Sequence, residues 1–186
     1  MHHLTLNMTA TALSLTMLAA CGDGGGETVL SFTEARDRTS VMLHRLPTDV
    51  TPIGAMPDSG DATYSGFIGI ESDRGTETYG ELTLTASFAD QTLRGTAENF
   101  VDEFEQHYDG ALDVNGAITG NEIAGDISGH LSVSDEMTLD VDATFNGSFR
   151  GDTHEALFAD IDGQVTTNES GMETTGDIIG AFIAER

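Results

Sequence analysis

From Asp61 to the carboxyl terminus, apolar side chains return at every second position. Leu82, Leu84, Ala86 and Phe88 alternate with Thr83, Thr85 and Ser87. Ile123, Gly125, Ile127, Gly129, Leu131 and Val133 alternate with polar or small residues, and Met137, Leu139, Val141, Ala143, Phe145, Gly147 and Phe149 make the longest run. A strand turns successive side chains to opposite faces, whereas a helix rotates every second residue away from any single face. The spacing therefore predicts about eight strands: 62–71, 77–89, 92–100, 107–115, 117–124, 125–134, 137–150, and one or two within 160–184. Turns are expected at Asp73–Gly75, Ala89–Gln91 and Asn115–Gly116.

Short turns join neighbours in antiparallel pairs, and a meander of this kind keeps two open edges unless it closes. The fold class read from the pattern is all-β, an antiparallel up-and-down barrel of about eight strands rather than a two-layer sandwich. Gly95, Gly110, Gly125, Gly129, Gly147 and Gly163 share the parity of the large apolar residues. They are expected to point inward, where they let a strand bend and leave room for a neighbouring Phe or Leu.

Upstream the period changes. Ser31-Phe-Thr-Glu34 has capping-box spacing, and Ala35, Met42, Leu43 and Leu46 share a helical face that ends before Pro47, so one short helix is expected over about 33–45. Its apolar face would dock on the barrel or plug an open end. Residues 47–60 hold all three prolines and read as an irregular linker. Residues 8–20 are uncharged and mostly apolar, too short to span a bilayer core that needs roughly 20 residues, and they read as a signal peptide. Leu18-Ala19-Ala20-Cys21 resembles the bacterial lipobox, which implies cleavage after Ala20 and a lipid carried by the Cys21 thiol. Several acyl chains together would hold the protein at a membrane. Gly22 after the cysteine resembles lipoproteins sorted to the outer membrane. The chain thus divides into a signal peptide (1–20), a lipidated tether with helix and linker (21–60) and a barrel domain (61–186).

Composition narrows the functions. Against 32 acidic residues stand 7 basic ones, all arginine, for a formal net charge of -25. Nucleic acid would be repelled, because phosphate binding needs clustered cations. A single cysteine excludes an internal disulfide and a thiolate metal cluster. His44, His107, His130 and His154 lack metal-ligand spacing; His107-Tyr108 invites a haem ligand without supporting one. Asp140 with Asp142 and Asp160 with Asp162 put carboxylates about 7 Å apart on one strand face. No EF-hand pattern accompanies them, so a solvated acidic surface is expected and no metal site is assigned. No Gly-x-Ser-x-Gly elbow or other set of nucleophile, acid and base is present, so the chain does not read as an enzyme.

Near the carboxyl end, Gly147-Ser-Phe149-Arg-Gly151 leads through Asp152-Thr-His-Glu155-Ala156, expected as one helical turn, to a closing strand containing Gly180-Ala-Phe182. With Ala62-Thr-Tyr-Ser-Gly66 as a first strand, this resembles the barrel domain of transferrin-binding protein B and related surface lipoproteins, over residues 61–186. The resemblance implies the barrel fold, lipid anchoring at the cell surface, and a binding role that in this family often concerns iron or haem acquisition. Large members pair each barrel with a handle domain, which residues 22–60 are too few to build, so transferrin binding itself is not implied. The expected protein is a monomeric binding lipoprotein for a solute or protein partner, with no cofactor beyond its lipid. The alternative is a structural envelope lipoprotein whose barrel is filled by its own side chains.

Overall fold

The computed structural model describes residues 29–134 and 137–186. Eight antiparallel strands follow one another around a closed barrel: β1 (Asp61–Ser72), β2 (Glu77–Ser87), β3 (Thr92–Asp102), β4 (His107–Thr119), β5 (Glu122–Ser134), β6 (Met137–Arg150), β7 (Ala156–Glu169) and β8 (Met172–Glu185). Each strand pairs with its neighbour in sequence, and β8 returns to β1 in a register running from Ser65↔Glu185 to Ser72↔Ile178. Closure leaves no free edge.

Several boundaries differ from the sequence reading. The turn expected at Asn115–Gly116 lies inside β4; the chain reverses instead at Gly120, whose φ is +63°. Gly116 is small for another reason: a Cβ there would sit 2.6 Å from the Phe145 ring. Residues 117–124 and 125–134 are therefore not two strands but the end of β4 and the whole of β5. The final stretch is two full strands, β7 and β8, turning at Ser170–Gly171. Gly151–His154 form turns rather than a helical turn, because Gly151 and His154 both take positive φ (+87° and +51°).

Gly95, Gly125, Gly129 and Gly147 are glycine mainly because neighbouring strands approach closely. A Cβ on Gly95 would lie 2.0 Å from the Thr83 carbonyl oxygen, and one on Gly147 would lie 2.1 Å from that of Phe158. Beyond Ala97, β3 breaks its alternation. A bulge with Asn99 at φ +56° shifts the register, so Phe100 turns into the barrel and Val101 out of it.

Outside the wall lies α1 (Phe32–Arg45). Ser31 caps it by accepting from the Glu34 N–H at 3.2 Å. Phe32, Ala35 and Leu30 pack on Phe67 and Val101, with Met42 and Tyr79 at the border, so the helix docks against the barrel and plugs neither end. Leu43, expected on that face, is 45% exposed. The linker is ordered against one end of the barrel: Thr51 N donates to the Phe149 carbonyl (2.9 Å) and Gly151 N to that of Asp49 (3.0 Å).

Candidate binding site at the open end of the barrel

The two ends of the barrel are built differently. At the end where β6 turns into β7, Phe149 is fully buried against Tyr64 (6.0 Å between ring centroids), Phe88 (5.8 Å) and His154 (6.4 Å). The Tyr64 hydroxyl donates to the His154 carbonyl at 3.0 Å and lies 3.0 Å from His154 Nδ1. With that hydroxyl's one proton committed to the carbonyl, Nδ1 is assigned as the donor to the Tyr64 oxygen, which leaves Nε2 as an acceptor. Arg186 stands 3.5 Å from Nε2. Burial, joined by the Arg186 charge, holds the His154 pKa below its ordinary value, and burial pushes Tyr64 up to about 12. This end is plugged by the protein's own side chains.

The residues singled out by family likeness serve that plug and the closing seam. Gly147 admits β7, Phe149 fills the end, and Gly151 turns the chain where a Cβ would collide with the Glu155 carboxylate. Glu155 accepts from Thr153 N (3.3 Å) and Thr153 Oγ1 (3.1 Å), and chiefly that backbone bond lowers its pKa. Ala156 is buried and opens β7. Gly180 lets β8 approach β1, where a Cβ would come within 2.2 Å of the Gly69 carbonyl oxygen; Phe182 packs edge-on against Phe145 at 5.3 Å. None of these residues lines the opposite end. Leu18, Ala19, Ala20 and Cys21 lie outside the described residues.

Among the described residues, the opposite end is open. A cavity of about 170 Å³ enters the barrel there, walled by Ile70, Phe100, Leu131, Leu139, Val165 and Ile178, with Thr78, Thr167 and Thr174 nearer the rim. Tyr108 lines it as well, its hydroxyl donating to Asp102 at 3.0 Å. Burial, with the Asp102 carboxylate beside it, pushes the Tyr108 pKa up. Asp102 is itself buried and also accepts from Phe104 N and Gln106 N, both at 2.9 Å, so one carboxylate holds the β3–β4 turn and the tyrosine together. On that turn Phe104 is 75% exposed, and across the mouth Met172 is 72% exposed.

Sequence reasoning missed these rim residues. Phe100 enters the cavity only because of the bulge, Phe104 lies in the β3–β4 turn, and Met172 opens β8 beside a turn, where alternation has no run to follow. His107 and Tyr108 do not face a common ligand, since His107 is exposed while Tyr108 turns inward. His130 pairs with Asp140 at 2.9 Å on the outer face, and among the described residues no group of three or more His, Cys, Asp or Glu is placed to hold a metal. Among those residues, no helix is long and apolar enough to cross a membrane.

These features define a small closed antiparallel barrel, plugged at one end and open at the other. Residues 56–186 match the family model of the C-lobe and N-lobe beta barrels of Tf-binding protein B, and the chain belongs to that family. Two solved structures of mutant transferrin-binding protein B from Haemophilus parasuis are similar to it, each at 20% identity, with TM-scores of 0.47 and 0.43. Each alignment covers 74% of this chain and 28% of that one, so the chain matches little more than a quarter of the H. parasuis protein. EF1p2_mFAP2b bound to DFHBI is similar at 10% identity and a TM-score of 0.40, over 80% of this chain and 97% of that one. Curated proteins give no match.

Proposed function

We propose that this protein is a lipid-anchored envelope lipoprotein that binds a partner through the open end of its barrel. The observation that carries this reading is the asymmetry of the barrel. One end is sealed by Tyr64, Phe149 and His154, while the other presents an apolar cavity beside the exposed Phe104 and Met172. Apolar surface left in water at a concave opening marks a binding site more often than it marks idle surface. Membership of a family named for a binding protein supports the same reading.

The lipobox-like Leu18-Ala19-Ala20-Cys21 adds a geometric consequence. Phe32 N donates to Glu105 on the β3–β4 turn at 3.2 Å, so the described chain begins at the open end. From Cys21 to Val29 is 29 − 21 = 8 residues, which reach about 30 Å at full extension. An anchor on Cys21 would hold the open end close to the membrane. A cavity of about 170 Å³ is smaller than the roughly 300–1,000 Å³ that enclose drug-sized ligands. That favours a partner which inserts one group over a haem held inside the barrel.

The test is photo-crosslinking in cells from a benzophenone amino acid at Phe104 or at Ile53, which is 69% exposed at the sealed end. Adducts from 104 and none from 53 are expected. Cys21→Ala should move the protein from membrane to soluble fractions. Persistent membrane partitioning of that variant would contradict the anchor, and equal adducts from both ends would contradict the binding face.

A further inference from the structure

We infer that the open end takes a basic protein surface that inserts one bulky apolar side chain into the barrel. This rests on the reading of that end as the binding face and adds the chemistry of the partner. The first observation is size and lining. A cavity of about 150 Å³ lined by aliphatic residues accommodates benzene, and here about 170 Å³ is walled by Ile70, Leu139, Val165 and Ile178 with the Phe100 ring. That space suits one aromatic or long aliphatic side chain. Phe104 and Met172 at the rim would cover its base, as neighbours of a buried anchor shield it from water.

Charge is the second observation. Among the described residues the rim carries exposed Asp73, Glu103, Glu105, Glu169 and Glu173 beside Arg74, and Arg36 lies over the Phe32 ring near the same end. The sealed end is acidic too: Asp49, Asp90, Glu122, Asp152 and Glu155 are exposed there beside Arg150 and Arg186. Exposed carboxylates thus flank the open mouth of a protein that is acidic at both ends, and they attract cations within a Debye length of roughly 8 Å; the apolar cavity, not charge, sets this end apart. An anionic lipid surface would be repelled by the same carboxylates. The partner is thus basic around its apolar anchor, and an anchor on Cys21 would confine the encounter to proteins presented at the membrane surface.

The chain has no tryptophan, so a tryptophan in a peptide reports on its own. The test uses the whole chain carrying Cys21→Ala and a lysine-rich heptapeptide with one central tryptophan. Saturable binding, a shift of tryptophan emission to shorter wavelength, and weakening with salt are expected. Val165→Phe, which fills the cavity, and Phe104→Ser with Met172→Ser, which strips the rim, should each weaken binding by about tenfold or more. Ile53→Ser at the sealed end should leave it unchanged. Equal affinity for the peptide with alanine in place of tryptophan, measured by calorimetry, would reduce the effect to bulk charge and overturn the inference. So would undiminished binding by Val165→Phe in a chain that melts normally, or tighter binding to phosphatidylglycerol vesicles than to the peptide. If the peptide fails while crosslinks still arise from position 104, the binding face stands and its assigned chemistry falls.

Discussion

Gly147 shows how one position constrains the barrel. Its missing side chain lets β7 approach until the Phe158 carbonyl oxygen lies 2.1 Å from where a Cβ would stand, and backbone cannot move aside as a side-chain tip can. Gly147→Val should cost about 3 kcal/mol, the upper end of overpacking effects. Thr144→Val on the outer face should stay within about 0.5 kcal/mol. Urea denaturation followed by circular dichroism separates the two. His154 offers a second test. Its pKa is lowered by burial and by Arg186, so the unfolded chain binds a proton near pH 6.5 that the folded imidazole resists. Stability from this group is complete above about pH 6.5 and is lost as pH falls below it, because the unfolded state then binds more protons. Asparagine tolerates the left-handed backbone at this site. Stability should therefore fall less between pH 7 and 5 in His154→Asn than in the natural chain. The acidic surface common to both chains cancels in that comparison.

At the scale of elements, α1 and β3 depend on context in opposite ways. A helix of 14 residues is marginal alone in water, so α1 persists because Phe32 and Ala35 are buried against Phe67, Val101 and the edge of Tyr79. Phe32→Ala should remove about 3 kcal/mol of docking. Amide hydrogen exchange is expected to become fast over 32–45 while β4 to β7 stay protected. Slow exchange in the variant helix would mean that other contacts hold it. The helix was legible in the sequence because Ser31 and Glu34 have capping spacing and Pro47 stops the run. The β3 bulge was not, because the strand expected over 92–100 takes in Asn99 and Phe100 with no sign of a register shift and stops short of Val101. Only pairing with both β2 and β4 decides which of Phe100 and Val101 goes inside.

On the scale of the whole molecule, the proposed anchor would set the barrel's attitude to a membrane, because the described chain begins at the open end. If Cys21 carries the proposed anchor, the open end would lie nearer the bilayer than the sealed end. Phe104→Trp and Ile53→Trp each place a single tryptophan at one end of a chain that otherwise has none. In liposomes holding the lipidated protein and a quencher-bearing lipid, emission from Phe104→Trp should be quenched more strongly. The opposite order would mean that the barrel stands with its sealed end down.

Period-two alternation from Asp61 onward was enough to specify strands and an inner face, because side chains of one parity must all leave water together, and the short turns with the inward glycines pointed to a closed sheet. The family resemblance was legible for the same reason: Gly147, Phe149, Gly180 and Phe182 are what close packing and closure demand. What alternation cannot encode is which end of a barrel stays open. That depended on three-dimensional coincidences: His154 meeting Tyr64 across 90 residues, the linker folding over Phe149, and a bulge turning Phe100 toward the mouth. Each joins residues distant in sequence through contacts that leave no periodic trace, so only the tertiary structure places the candidate site.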